Sequence, residues 1–255
     1  MIGITNLSHM TLLGWGKKYS EILEEFGYSK KRDLESAKIL NSILKNKFPL
    51  SKIRNLIHNQ DVFVIGAGPT LLSSIPVLRK YNSTTKIVAD GAVKALIENK
   101  IKTDILVSDL DGDIKSLKKI GKTKTIMIIH AHGDNLDRLE LVSNFKNCIG
   151  TTETNSFGKI QNFGGFTDGD RCVFLAQHFK AKRVILFGMD FGNKIGKYSK
   201  TNFPNKKIKI KKLRKGKKLL EWLASKNSSN LYTTSKPIKG FKKIRYSDLE
   251  KVLSD

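Results

Sequence analysis

The chain reads as an α/β protein built on a mostly parallel, doubly wound sheet with helices on both faces. Three observations carry that reading. Short apolar runs of strand length alternate with helical stretches from residue 61 onward. Those runs end in glycine and acid, in turn Gly66-Ala67-Gly68-Pro69, Asp90-Gly91 and Asp109-Leu110-Asp111-Gly112. Ligands of open α/β sheets bind outside the carboxyl ends of the strands, so this series marks one end of the sheet as chemical.

Residues 1–58 read as a helical region. Trp15, Tyr19, Ile22, Leu23 and Phe26 recur at helical spacing, and Gly27 can end that helix. Ser29 is placed to cap a second helix, with Asp33 in its first turns and Ala37, Leu40, Ile43 and Leu44 on its apolar face. Pro49 breaks it, and a short third helix is expected from about Ser51 to His58. His9 and His58 stand alone and read as surface or packing residues rather than ligands.

Residues 59–195 form the expected catalytic core. Val62 to Ile65 is a buried strand that enters the glycine turn, and a helix begins at Leu71, with Pro69 suited to its first turn. Lys86 to Ala89 is the second strand, followed by a helix to about Asn99. The third, Asp104 to Val107, delivers Asp109 and Asp111. The fourth, Thr125 to Ile129, ends in His130-Ala131-His132-Gly133-Asp134-Asn135. The two histidines are expected on opposite sides of the chain, which argues against a two-histidine zinc site. Asp134 or Asn135 is expected to cap the next helix. A short strand, Cys148 to Gly150, leads to the polar run Thr151 to Asn155. The aromatic and glycine-rich loop from Phe157 to Phe166 is long enough to be functional, its rings suited to a flat heterocycle or to the core. Thr167 or Asp168 caps a helix running to Phe179, and the last core strand, Arg183 to Phe187, ends in Gly188-Met189-Asp190-Phe191-Gly192.

Residues 196–255 read as a basic helical extension packed on the core. Pro204 and Asn205 mark a turn before a helix from about Lys206 to Ser225, with Leu213, Leu219, Leu220, Trp222 and Leu223 as buried positions and Gly216 as an interruption. Asn230 to Thr234 is a terminal strand and Tyr246 to Leu253 a last helix.

Composition narrows the function. The 255 residues allow one large domain, or an ordinary core with a helical appendage, and 39% hydrophobic content supports a real core. No apolar run approaches membrane-spanning length, and Met1 to Met10 lacks the layout of a secretory signal, so a cytoplasmic protein is expected. Cys148 and Cys172 have no metal-ligand spacing and suit a reducing compartment. The net charge of +24 points to anionic partners, unless it only covers solvated faces. It is uneven: no acid occurs between Asp190 and Glu221, while Lys206 to Lys215 is densely basic.

The motifs suggest phosphate chemistry. Asp109 and Asp111, with a glycine behind them, suit a divalent cation carrying phosphates, although an N-cap and a turn residue give the same spacing. Gly66 to Thr70, between a strand and a helix N-terminus, suits an anion. It lacks the Gly-Lys-Ser/Thr of a Walker loop and the third glycine of the dinucleotide fingerprint. A helix cap explains Asp168 or Asp170, but not both acids plus Arg171.

Taken in order, Gly66-Ala67-Gly68-Pro69, Ala89-Asp90-Gly91, Asp109-Leu110-Asp111-Gly112, His130-Ala131-His132-Gly133-Asp134-Asn135, Gly165 to Arg171 and Gly188 to Gly192 resemble the archaeal-type 6-hydroxymethyl-7,8-dihydropterin diphosphokinase family, itself distantly similar to thiamin pyrophosphokinase. Trp15, Phe26-Gly27-Tyr28, Asp33 and Lys197-Tyr198-Ser199 add to the likeness, which covers most of the chain. The resemblance implies a Rossmann-like core with helices added at both ends. It also implies magnesium-dependent transfer of diphosphate from ATP to the hydroxymethyl group of a reduced pterin, releasing AMP, in tetrahydromethanopterin or folate-type cofactor biosynthesis. On that basis the expected metal ligands are Asp109, Asp111, Asp90 and Asp170, and Asp90, Asp109, Asp111, His132, Asp168 and Arg171 carry the chemistry. Arg171 and the lysines near Lys197 to Lys212 would clamp the triphosphate, and a carboxylate or His132 would take the hydroxyl proton. Gly66, Gly68, Pro69, Gly91, Gly169 and Lys197 would hold the nucleotide, and Asn135, Asn155 and Thr167 would read the pterin. A homodimer is allowed, and a membrane partner is not expected. Two rival readings are a nucleotide-sugar glycosyltransferase using the Asp-x-Asp pair and a basic nucleic-acid-binding module, the latter disfavoured because no recognised nucleic-acid motif is present.

Overall fold

The computed structural model describes residues 12–199, 206–226 and 230–254. Three helices come first, α1 (Trp15–Phe26), α2 (Lys30–Ile43) and α3 (Leu50–Ile57). Strands and helices then alternate through β1 (Asp61–Ile65), α4 (Leu71–Lys80), β2 (Thr85–Ala89), α5 (Asp90–Glu98), β3 (Ile105–Ser108), α6 (Ile114–Ile120) and β4 (Ile126–His130). A 3-10 segment, Leu136–Asn144, precedes β5 (Cys148–Thr151), β6 (Ile160–Gln161), α7 (Asp168–His178) and β7 (Arg183–Phe187). The chain closes with α8 (Lys206–Lys226), β8 (Asn230–Thr233), β9 (Lys242–Lys243), a 3-10 turn and α9 (Leu249–Ser254).

The strands form one sheet of nine in the order β6-β5-β4-β3-β2-β1-β7-β8-β9, and every neighbouring pair is parallel. Successive strands lie side by side from β1 to β6. The chain then returns to the other side of β1 with β7, so the order reverses at the β1–β7 pair. A ligand crevice is expected at the carboxyl ends there.

Strand side chains alternate between two cores. Val62, Val64, Ile105, Val107, Ile126 and Ile128 face α1, α3, α7 and α8, while Phe63, Ile65, Leu106, Met127 and Ile129 face α2, α4, α5, α6 and α9. The strands are therefore apolar on both sides, as a covered parallel sheet requires.

Local signals explain most boundaries. Gly27 ends α1 in the left-handed conformation, and Ser29 caps α2 by accepting from Arg32 N. His58 packs through Nδ1 against Phe179 O at 3.3 Å.

Several expectations need correction. Pro69 lies before the Thr70 cap of α4, not in its first turn. The Phe157 to Phe166 loop holds an edge strand, β6. Gly216 does not interrupt α8; it is buried where a Cβ would come 2.8 Å from Asp170 Oδ1, so its lack of a side chain lets the helix pack on the start of α7. Leu213 and Trp222 are only half-buried. Residues 196–255 are more than a helical extension, because β8 and β9 lengthen the sheet beyond β7. The expected turn at Pro204 and Asn205 and the histidine at position 9 lie outside the described residues. Among the described residues no helix is long and apolar enough to cross a membrane.

Candidate active site

The acid-bearing strand ends converge. Asp90 begins α5 directly after β2, Asp109 and Asp111 follow β3, and Asp168 begins α7. Each of these four offers a carboxylate oxygen, and the four atoms lie within 4.8 Å of one another. The turn that delivers Asp109 and Asp111 is unusual. Leu110 between them has φ +65°, a left-handed conformation costly for a branched side chain, and its own side chain is fully buried. Leu110 N donates to Ser108 Oγ at 2.8 Å, and Ser108 Oγ donates to Asp90 Oδ2 at 2.6 Å. Gly112 N reaches the same carboxylate at 3.0 Å, and a Cβ on Gly112 would fall 1.8 Å from Asp90 Oδ1. The glycine after the Asp-x-Asp pair is thus required by close approach to Asp90.

Electrostatics single out Asp168. Burial, then the Asp109 and Asp90 carboxylates, push it well above the ordinary carboxylate range, although Arg171 Nη1 lies 3.7 Å away. Like charges this close cannot all ionise cheaply without a cation. The donor set is all carboxylate oxygen, which suits a hard divalent ion such as magnesium.

Asp170 is not part of this group. It is fully buried and accepts from Phe166 N, Thr167 N at 2.9 Å and Thr167 Oγ1, forming the capping box of α7. Its carboxylate is spent on backbone donors, so Asp168 replaces it among the expected metal ligands.

A cavity lies beside the carboxylates at the β1–β7 crossing. Gly66, Gly68, Pro69, Gly91, Thr167 and Gly169 all line it, with Asp109, Asp111 and Asp168. The glycine turn works differently from expectation, however. Gly66 N donates to Phe187 O at 2.9 Å and Gly68 N to Gly188 O at 2.7 Å, so these amides bind the end of β7 and the turn after it rather than a phosphate. Asp190 ties the same turns together, accepting from Thr70 N and Thr70 Oγ1 at about 3 Å. A Cβ on Gly68 would meet Asp190 Oδ2 at 2.2 Å. Lys194, Lys209 and Lys212 line the same cavity, so part of the basic segment does face the acidic centre. Lys197 is exposed and instead borders a groove with Asp90, Lys94 and Asp111.

A second cavity meets the first at Asp109, Phe166 and Lys212, and holds Tyr19, Asp33, His132, Glu153 and Arg171. Here the histidine expectation fails. Residues i and i+2 of an extended chain share a face, and the His130 and His132 rings stack with centroids 6.1 Å apart. His130 Nε2 lies 2.6 Å from Glu153 Oε2, and Arg171 Nη2 pairs with Glu153 Oε1. Burial and Arg171 push His130 down to about 4. Burial pushes Glu153 up, but His130 and Arg171 more than reverse this and hold it at about 2. His132 Nε2 is 3.6 Å from Asp109 Oδ2, while its Nδ1 accepts from Asp134 N at 3.3 Å. In the neutral ring that bond leaves the proton on Nε2, facing Asp109.

Two expected readers of substrate fall elsewhere. Asn135 is fully buried: Nδ2 donates to Asp109 O and His130 O, and Oδ1 accepts from His132 N and Ser36 Oγ. Three of its bonds brace the ends of β3 and β4, and the fourth ties them to Ser36 on α2. Asn155 is exposed and lines neither cavity. Asp33, expected only in α2 and among the residues of the family likeness, and Glu153, expected only within a polar run, both line this second cavity. Glu153 lies just past β5, so the rule that found Asp90 and Asp109 applies to it equally.

Comparison with known proteins agrees with this geometry. Residues 36–196 match the family described as 6-hydroxymethylpterin diphosphokinase MptE-like. The 6-hydroxymethyl-7,8-dihydropterin pyrophosphokinase of Methanocaldococcus jannaschii is 43% identical over 85% of this chain and 97% of its own. That of Pyrococcus furiosus is 41% identical over 85% and 96%. Among solved structures, the MAf glycosyltransferase of Magnetospirillum magneticum AMB-1 superposes with a TM-score of 0.57 at 14% identity, over 74% of this chain and 34% of that longer one, a likeness of fold alone. The chain belongs to the MptE-like 6-hydroxymethylpterin diphosphokinase family.

Proposed function

We propose that the protein transfers diphosphate from ATP to 6-hydroxymethyl-7,8-dihydropterin, giving the pterin diphosphate and AMP, with magnesium as cofactor. The observation that carries this reading is the convergence of Asp90, Asp109, Asp111 and Asp168, with Asp109 shared by two adjoining cavities. Two substrates that exchange a diphosphate need two chambers and a shared anionic centre.

The cavity at the β1–β7 crossing suits ATP. Its lysines offset polyphosphate charge, and the crevice is where doubly wound sheets take nucleotides. Asp90, Asp109, Asp111 and Asp168 would hold magnesium, which when bound neutralises phosphate oxygens and aligns the chain. The protein's own task is mainly positioning, since the reaction attacks phosphorus and spreads charge over oxygens. Asp109 lines both cavities and suits acceptance of the hydroxyl proton. With its Nδ1 accepting from Asp134 N, His132 presents Nε2–H to Asp109, so it orients that carboxylate rather than serving as the base itself. Arg171, fixed by Glu153, keeps a positive charge beside Asp168.

The test is AMP release. ATP and magnesium should yield AMP only with the hydroxymethyl pterin, and the pterin diphosphate should appear in equal amount. Sugar transfer from a nucleotide sugar, with no pterin-dependent AMP, would overturn the reading.

A further inference from the structure

The second cavity has features that diphosphate transfer alone does not require. Its inner wall carries Asp33, a carboxylate only 6% exposed, at the start of α2. Tyr19 Oη donates to Asp33 Oδ2 at 2.6 Å and Gly133 N donates to Oδ1 at 2.8 Å. Each oxygen keeps a further lone pair, because an ionised carboxylate has about four acceptor sites. Tyr19 Oη and Gly133 N are both neutral partners, whereas Glu153 is held between Arg171 and His130. Asp33 therefore keeps acceptor capacity for a ligand's donors that Glu153 spends on Arg171 and His130.

A second feature points to a ligand. Arg171 Nε is buried with no hydrogen-bond partner, on a residue 7% exposed that lines this cavity and a smaller one adjoining it. Such a donor calls for an acceptor. Tyr28 and Phe166 supply an aromatic wall. The cavity thus offers a two-site acceptor, a lone donor and a flat apolar side. A 2-amino-4-oxo pyrimidine ring has the complement: adjacent 2-amino and N3–H donors on one edge and a carbonyl beside them.

The chain sets the distance between recognition and reaction. Gly133, which binds Asp33, directly follows His132, which faces Asp109. One turn thus links Asp109 and Asp33 within the same cavity. Resting on the function proposed above, we propose that Asp33 is the specificity-determining residue for the pterin, accepting its 2-amino and N3–H protons while Arg171 Nε faces the ring carbonyl.

Equilibrium binding without ATP tests this, using 6-hydroxymethyl-7,8-dihydropterin and its counterpart with 2-oxo in place of 2-amino. The wild type should prefer the amino compound by about ten- to hundredfold, the value of a charge-assisted hydrogen bond. Asp33→Asn should weaken the amino compound by about tenfold or more and leave the oxo compound equal or tighter, because a carboxamide can donate to the oxo group. Equal loss for both ligands, or no loss for either, would overturn the assignment. In the wild type, the Gly133 amide resonance should shift when the amino compound binds; an unmoved resonance on a saturated protein also overturns it, whether or not the variant folds. A wild type that binds neither ligand and releases no AMP defeats the proposed function itself, whereas pterin-dependent AMP release with unchanged Asp33→Asn selectivity defeats only this assignment.

Discussion

The two ends of the sheet treat charge in opposite ways. At the amino ends of the strands, charges are matched. Arg183 Nε pairs with Asp61 Oδ1 at 2.5 Å, and its guanidinium also donates to the carbonyls of Val252 and Leu253. Lys86 is fully buried and donates to the carbonyls of Tyr81, Asn82 and Thr84, each at 2.9 Å. Asp104 accepts from Lys86 N at 3.0 Å and pairs with Lys102. At the carboxyl ends, four carboxylates crowd together and Asp168 is driven toward its neutral form. One end spends its polar groups on stability; the other stores repulsion that a cation and phosphates would relieve.

This contrast can be broken at several points. Asp168→Asn should cut pterin-dependent AMP release by about a thousandfold, the scale for losing a central electrostatic contact. In magnesium-free buffer the same variant should melt higher than wild type, because one of the clustered charges is gone. Arg183→Leu should do the reverse, costing about 3 kcal/mol in denaturant titrations, the low end for a broken buried pair because Asp61 reaches solvent. Its turnover per folded molecule should be unchanged. Lys86→Met should cost about 2 kcal/mol by the same titration, through carbonyls left without a donor. The smallest effect is a pH dependence. His130 has its folded value at about 4, below the ordinary 6.5, so its contribution is complete above 6.5 and is lost as pH falls toward 4. His130→Gln should flatten the dependence of melting on pH in that window and leave its slope unchanged above pH 7.

Much of this was legible in the sequence because strands and their ends carry local signals. The apolar runs gave the sheet, and glycine with acid past each run gave Asp90, Asp109 and Asp111. What was not legible depends on packing between distant segments. Asp168 and Asp170 are equivalent in sequence, and only the amides of Phe166 and Thr167 decide that Asp170 is the cap. Asn135 looked like a ligand reader because its side chain can both donate and accept. It spends those bonds on two strand ends that no local pattern brings together. Strands of two residues, β6 and β9, are too short to show alternation. The histidine pair was misread by a period error, since alternation sends every second residue to one face.

The crossing of the Gly66–Gly68 turn with the turn after β7 also bears on folding. The two segments are joined by amide-to-carbonyl bonds across more than a hundred residues of chain. Closing so long a loop is entropically late, and topologies rich in such contacts fold slowly. The cavity at the β1–β7 crossing therefore comes into being only when β7 docks beside β1. A nascent chain that has made β1 to β6 already holds Asp90, Asp109 and Asp111, yet it lacks half of the crevice. A ligand that binds there selects the finished molecules from the partly folded pool.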